Sequence, residues 1–392
     1  MKYVIIGNST AGIGAVEGIR QIDKTGEITI IASEPHHTYS RPLISYLLQG
    51  KTDLDKMKYR SDSFYEDNNC KFIHDTVMAI DSNGKHIVLS NGNDIAYDKL
   101  LVATGSSAFF PEQFKNLPNT HTFITLDDAC KLEKSLKTDS GASKSSTRVL
   151  IIGAGLIGLK CAEGILDRVG SVTVADIASR ILPAILDEES SIIVQKHLED
   201  KGMTFKLGEP VTNTGEYDIV VVAAGVRPNV GLLEGIAKID KGIIVNEKSE
   251  TSVPDIYAAG DCTQSTDVSD GQSKIMALLP NAYMQGETAG FNMADGDKTP
   301  VPKTFDKAIP MNAVGLCGLH IITAGNYTGD VHYEGNNRFY CSNDKLNGYI
   351  LIGDIKNAGV YTDLIRKKRP LGNKTLIIRE VLQNEYRDYN YQ

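Results

Sequence analysis

Apolar residues in the first three-quarters of this chain gather into short unbroken runs that stop at glycine. Tyr3–Ile6, Val149–Ile152 and the apolar parts of Lys99–Gly105, Asp218–Gly225 and Ile256–Asp261 have this form. Runs of four to six apolar residues, closed by a turn signal, predict strands buried on both faces of a parallel sheet. Between them, mixed polar and apolar segments predict helices at Asp127–Lys137, Glu188–Lys201 and from Pro280 onward, and a polar helix over 53–68 around Phe64 and Tyr65. Lys71–Ile80 reads as one strand, and His86–Ser90 with Ala96–Tyr97 as a hairpin about Asn91-Gly92. Thr138–Thr147 has the Ser, Thr and Gly content of a linker. After about Pro302 the pattern changes. Ile309–Val314, Ile321–Ala324, Arg338–Ser342 and Tyr349–Gly353 alternate, which predicts an antiparallel sheet, closed by a helix at Tyr361–Arg366.

Two of the buried runs open into glycine turns that carry chemistry. Val149–Ile152 leads into Gly153-Ala154-Gly155-Leu156-Ile157-Gly158 and then a helix. The first glycine makes the turn, the second lets main-chain amides approach a pyrophosphate, and the third lets helix and strand pack closely. The helix N-terminus then faces the phosphate charge. A ribose-binding acid belongs roughly 20 residues further on, and Asp176 closes the next strand there. A ligand-free turn leaves the position of that acid unexplained. Tyr3–Ile6 leads into Gly7-Asn8-Ser9-Thr10-Ala11-Gly12, the same signature with Ser9 in place of the middle glycine, and Glu34 ends the following strand. Two such units in one chain predict two dinucleotides, FAD and a nicotinamide cofactor.

Composition narrows the class. The chain has 392 residues, enough for two or three domains, and a net charge of -8, which argues against nucleic acid as a partner. No apolar run reaches membrane-spanning length. Met1-Lys2 leads straight into a strand, so a cytoplasmic protein is expected. The six cysteines are scattered without a C-x-x-C, which leaves no sequence-local redox pair or metal motif.

Taken together, Gly7–Gly12, Glu34, Tyr39-Ser40-Arg41-Pro42, Ala103-Thr104-Gly105, Gly153–Gly158, Ala224-Gly225-Val226-Arg227-Pro228-Asn229 and Tyr257-Ala258-Ala259-Gly260-Asp261 resemble, in content and order, the FAD- and NAD(P)H-dependent pyridine nucleotide oxidoreductases. The stretch Tyr39–Ser45 is similar to the branch holding NADH:rubredoxin reductases and the FAD domain of NADH-dependent nitrite reductases. The resemblance implies an α/β fold with two Rossmann-like dinucleotide-binding domains and a C-terminal α+β interface domain. The FAD domain would be discontinuous, 1–118 and 247–303. The NAD(H) domain would span 119–246 and the interface domain 304–392.

The resemblance also assigns residues. Gly7, Ser9, Ala11 and Gly12 would hold the FAD pyrophosphate, Glu34 its ribose, and Val77 its adenine. Arg41 and Pro42 would lie beside the flavin, and Asp261 by the ribityl–phosphate region. Thr104, Gly105, Gly260 and Gln285 are further FAD candidates. The helix through Ala282–Gly286 would point its positive end at the flavin. Gly153, Gly155, Ile157, Gly158, Asp176 and Gly225 would serve NADH. Asp176 favours NADH over NADPH, because a 2′-phosphate would meet a like charge, whereas Arg180 nearby keeps NADPH open.

Two departures shape the expected mechanism. No cysteine lies between Met1 and Cys70, so thiol chemistry at the flavin lacks its nucleophile. Lys160 stands where relatives often carry a glutamate. It is, with Arg41, a candidate catalytic residue, though the flavin itself carries the chemistry. Hydride would pass from NADH to FAD and then, as electrons, to a one-electron carrier such as rubredoxin or a ferredoxin-like protein. The basic run Arg366-Lys367-Lys368-Arg369 could dock such a carrier. A flavin-only NADH oxidase, and an electron-transfer subunit of a larger redox complex, are the alternatives.

Overall fold

A computed structural model of the chain describes residues 1–115, 117–136, 146–296 and 299–372. Its first parallel sheet has five strands, in the order Ile256–Ala258, Lys99–Val102, Lys2–Ile6, Glu27–Ala32 and Cys70–His74. The second repeats that plan with Thr120–Thr122, Ile219–Val222, Arg148–Ile152, Ser171–Asp176 and Met203–Leu207. In each, the strand that opens into a glycine turn lies at the centre. The apolar runs are there because both faces of these strands are covered. The residues of Arg148–Ile152 after Arg148 are all buried, as are those of Lys2–Ile6 after Lys2.

Two short strands, Ser106–Ala108 and Val226–Pro228, pair antiparallel and carry the chain between the two units. A third sheet, antiparallel and five-stranded, is built from Met311–Leu316, Leu319–Gly325, Lys345–Ile352, Asn337–Ser342 and Asp330–Glu334, with helix Ala358–Lys367 packed on it. The core does not follow the chain order strictly. Ile44, Leu48 and Met57, early in the sequence, pack with Val149, Ile151 and Leu159 of the second unit. Leu233 and Ile243 pack under the first sheet with Val4 and Ile6.

Three local expectations change. Only Phe64–Asp67 is helical within 53–68. Before it, the backbone is committed elsewhere: the Met57 carbonyl accepts the Ser40 amide at 2.8 Å and the Tyr59 amide donates to the Thr38 carbonyl at 2.9 Å, around a bridge between Tyr39 and Lys58. Lys71–Ile80 breaks at Asp75-Thr76 into Cys70–His74 and Val77–Asp81, which belong to different sheets. The C-terminal sheet gains the edge strand Asp330–Glu334, a five-residue alternating run between Gly329 and Gly335 that is too short to stand out. The linker expected at Thr138–Thr147 lies, apart from its last two residues, outside the described residues.

Candidate dinucleotide sites

A cleft of about 370 Å³ opens at the C-terminal ends of the first sheet's strands. That is within the ordinary range for a small-molecule site, and it is where open α/β sheets bind ligands. Its walls include Gly7, Ser9, Ala11, Glu34, Arg41, Val77, Thr104, Gly105, Gly260 and Asp261. Ten residues singled out in the sequence thus meet in one place.

The glycine turn is shaped by what a side chain would hit. A Cβ on Gly7, whose φ is +120°, would lie 2.1 Å from the Ala103 carbonyl oxygen, and one on Gly12 would lie 2.1 Å from that of Gly7. Gly12 therefore packs beneath the turn and does not line the cleft. Ser9 is the N-cap of helix Thr10–Ile22, yet its hydroxyl makes no capping bond. The first amides of that helix and the Ser9 hydroxyl remain for an anion, as a pyrophosphate requires.

Glu34 sits at the far wall. It accepts from the Tyr39 hydroxyl and from Arg41, each at 2.6 Å. Arg41 also donates to the Ile124 carbonyl at 3.3 Å. With one donor on each oxygen, the carboxylate keeps acceptor capacity for ribose hydroxyls. Asp261 is the opposite case. Burial pushes its carboxyl above the usual range, against the Ser106 hydroxyl at 3.3 Å and the charge of Arg41. A half-buried acid with one long hydrogen bond suits a polyol ligand that brings more donors.

The third wall is helix Leu279–Asp295. Its N-cap, Leu278, supplies no side-chain bond, and Leu279 and Ala282 face the cleft. This helix packs on Thr10–Ile22 backbone to backbone. A Cβ on Gly286 would lie 2.0 Å from the Ala11 carbonyl, and one on Gly290 would lie 2.0 Å from that of Ala15. Gly14 and Gly18 return the arrangement against Tyr283 and Glu287, at 2.5 and 2.2 Å. The two glycine pairs, each spaced by four, are the signal that sequence reasoning passed over.

Besides Gly12, two assigned residues stand apart from the cleft. Gln285 is buried behind it, where its side-chain oxygen accepts the Gly260 amide at 2.8 Å and the Thr263 hydroxyl at 3.0 Å. It holds the Gly260 turn in shape and faces no ligand. Pro42 is exposed and opens the short helical turn Arg41–Leu43 outside the cleft. Asn229, in contrast, is a cleft residue not assigned from sequence. Its side-chain amide donates to the Thr104 carbonyl at 2.9 Å, and its own carbonyl accepts the Thr104 hydroxyl at 2.7 Å.

The second unit reproduces the turn. A Cβ on Gly153 would lie 2.1 Å from the Ala223 carbonyl oxygen, and one on Gly158 would lie 1.9 Å from that of Gly153. Gly155 caps helix Leu156–Ile165, and a Cβ there would meet nothing within 4 Å, so the space a pyrophosphate needs is open. Ile157 is in the first turn of this helix. Gly225 has a φ of +105° and likewise faces open space. Asp176 accepts the Ala154 amide at 2.7 Å and the Ala178 amide at 2.9 Å, which ties the strand end to the turn. Lys160 does not extend to solvent. It pairs with Glu163 at a seam between the units.

No cysteine lines the cleft. Cys262, next to Asp261, points into the core, where its thiol donates to the Val102 and Ala259 carbonyls and burial pushes its titration up. Among the described residues, no group of His, Cys, Asp and Glu is placed to hold a metal, and no helix is long and apolar enough to cross a membrane.

Residues 1–286 match the family model described as pyridine nucleotide-disulphide oxidoreductase. The chain belongs to this family. It is an FAD-dependent NADH oxidoreductase by that membership and by the two nucleotide turns. Subunit epsilon of the NADH-dependent phenylglyoxylate dehydrogenase of Aromatoleum evansii is 27% identical over 98% of both chains. The NADH oxidase of Methanocaldococcus jannaschii is 33% identical over 75% of this flavoenzyme and 70% of the relative. The crystal structure of NADH:rubredoxin oxidoreductase from Clostridium acetobutylicum superposes with a TM-score of 0.81 at 25% identity, covering 98% of this chain and 99% of that one. The chain spans about half the length of two Bacillus subtilis relatives, an assimilatory nitrate reductase electron transfer subunit (50%) and a nitrite reductase (48%).

Proposed function

We propose that this flavoenzyme takes electrons from NADH and delivers them singly to a small iron–sulfur carrier protein of the rubredoxin or ferredoxin type in the cytoplasm. The observation that carries the reading is the cleft without a thiol. Disulfide and thiol-based peroxide reduction need a cysteine against the flavin, and Cys262 is turned into the core. FAD, when bound, accepts a hydride and can give up electrons one at a time.

The protein's part is placement. The Ser9 turn and helix Thr10–Ile22 would hold the FAD pyrophosphate, Glu34 the ribose, and Asp261 the ribityl chain. The start of helix Leu279–Asp295 would offer positive dipole to the flavin's pyrimidine edge, favouring its reduced, anionic form. Gly153, Gly155 and Gly158 would seat NADH, with Asp176 at its ribose. A second reading, a subunit of a larger redox assembly, is favoured by the match of nearly the whole chain to the epsilon subunit.

Anaerobic stopped-flow tests both. NADH-reduced protein is mixed with rubredoxin, with ferredoxin and with oxygenated buffer, and flavin absorbance is followed. Fast reoxidation by a carrier and slow reoxidation by oxygen is the expected result. Fast reoxidation by oxygen alone would make it an oxidase, and slow reoxidation by all three would favour the subunit reading.

A further inference from the structure

Helix Leu156–Ile165 begins at the NADH-side glycine turn, and two seams meet along it. One faces helix Ile44–Leu48, which continues from the cleft-wall residue Arg41 through the turn Arg41–Leu43. Gly164 makes that approach close, since a Cβ on it would lie 3.1 Å from the Ser45 carbonyl oxygen. Gln49 donates to the Glu163 carbonyl at 3.0 Å, and Arg168 donates to the Leu48 carbonyl at 2.6 Å. The other seam faces the turn at Gly315–Cys317 in the C-terminal sheet.

Lys160 and Glu163 stand where the seams cross. The Lys160 ammonium pairs with one oxygen of the Glu163 carboxylate, donates to the Gly315 carbonyl at 3.0 Å, and lies 4.7 Å over the Tyr46 ring. The other Glu163 oxygen accepts the Cys317 amide at 2.9 Å. The two side chains are 17% and 10% exposed, so their charges are largely withdrawn from water. A desolvated ion pair adds little net stability, and its better-attested use is to fix register. Here the register is that of three segments: the NADH-side helix, the flavin-side helix and the C-terminal sheet.

We propose that Lys160 and Glu163 are a positioning pair that sets how closely the NADH-binding helix stands to the flavin wall, and hence how nicotinamide meets flavin. The proposal rests on the NADH and FAD assignment above but not on any choice of electron acceptor. Neither residue lines the FAD cleft, and the role proposed for the pair is positioning. The effect is on alignment, to which hydride transfer is steep, with a misplacement of about 1 Å costing on the order of a hundredfold in rate.

The test uses Lys160→Met and Glu163→Gln, with Lys160→Arg as the conservative variant. The reductive half-reaction alone is followed, which separates the NADH dissociation constant from the limiting rate of flavin reduction. A second readout needs neither cofactor. Cys317 is half-buried at the seam, and burial, with the Glu163 charge adding, pushes its thiol up to about 11. Its alkylation in the apoprotein, located by peptide mass spectrometry, reports opening of the seam.

For K160M the limiting rate should fall about tenfold or more, with NADH affinity within about twofold. Cys317 labelling should rise severalfold, and K160R should stay near the parent in all three. Should K160M lose FAD on purification, E163Q carries the same expectation for flavin reduction and NADH affinity, whereas Cys317 labelling is read from K160M alone, because removing the Glu163 charge by itself lowers that thiol's titration. Unchanged Cys317 labelling, or unchanged flavin reduction in a variant whose Cys317 labels faster, would overturn the proposal. Failure of the parent's own flavin to accept electrons from NADH would instead overturn the assignment it rests on.

Discussion

Tyr39 donates a 2.6 Å hydrogen bond to Glu34, and the same hydroxyl oxygen accepts the Leu126 amide at 3.0 Å. One atom thus joins the acid proposed for the FAD ribose to the first residue of helix Leu126–Leu136, where the chain enters the second unit. Arg41 braces the same corner through Glu34 and Ile124. A hydrogen bond to a charged acceptor contributes about 1.5 kcal/mol or more, roughly a tenfold change in an equilibrium constant. Tyr39→Phe should therefore raise the FAD dissociation constant of the apoprotein about tenfold. Titration by flavin fluorescence measures this, and an unchanged constant would show that Tyr39 does not set the Glu34 carboxylate.

Asp261 yields a prediction with a definite pH sign. Burial raises its folded-state titration above the ordinary Asp value, so the folded apoprotein binds a proton more tightly than the unfolded chain does. The penalty for ionising it is absent below that ordinary value. It grows as pH rises through the interval and is complete above the raised value. Asp261→Asn apoprotein should melt higher than the parent at pH 7 and equal to it in strong acid. The same variant should bind FAD more weakly, since an amide oxygen accepts less strongly than a carboxylate. A variant no more stable at pH 7 would remove the basis for this reading of the half-buried acid.

Asp176 accepts two main-chain amides, those of Ala154 and Ala178, and is proposed for the NADH ribose. Asp176→Ala should raise the KM for NADH about tenfold, leave kcat within about threefold, and shift the NADH/NADPH ratio of kcat/KM toward NADPH. Parallel losses for both nucleotides would mean that the residue serves the turn alone.

Gly286→Ala places a methyl group 2.0 Å from a carbonyl oxygen that belongs to a neighbouring helix and cannot swing away. Overpacking of this kind costs about 3 kcal/mol. Chemical denaturation of the holoprotein should show a midpoint moved to lower denaturant, by an amount that multiplied by the m-value matches that cost. Gly50→Ala, at a glycine with open space around it, is a control for crowding, although its φ of +69° adds a smaller strain of its own.

The basic run at the end of helix Ala358–Lys367 is exposed, and Lys367 and Arg369 share Asp363 as an ion-pair partner. The run therefore keeps a surplus of positive charge on a chain whose net charge is -8. Neutralising Arg366, Lys367, Lys368 and Arg369 to Gln should slow carrier reduction several-fold at low salt and leave it unchanged at high salt. A rate indifferent to both would place the docking site elsewhere.

Much of the first site was legible because its constraints are local. The Gly7 and Gly153 turns, the acids at Glu34 and Asp176, and the apolar strands all announce themselves within a few residues. What stayed hidden depends on partners far along the chain. Nothing near Gly286 says that Ala11 lies against it, and nothing near Asn229 says that Thr104 does. Gln285 was misplaced for the same reason, since its side chain turns back to Gly260 rather than outward. The helix expected over 53–68 shortened because the backbone at 57–59 pairs with Thr38–Ser40, far back along the chain.

The glycine contacts between helices Thr10–Ile22 and Leu279–Asp295 have one further consequence. Each helix presents its N-terminus to the same cleft, and no side chain separates their backbones. The gap between the two positive ends is therefore fixed as on a gauge block. A ligand that reaches only one end, such as a mononucleotide, satisfies half of it, whereas a molecule carrying a pyrophosphate and a flavin ring at the right separation engages both. In the proposed assignment, cofactor length is measured by two helices locked together at these glycines.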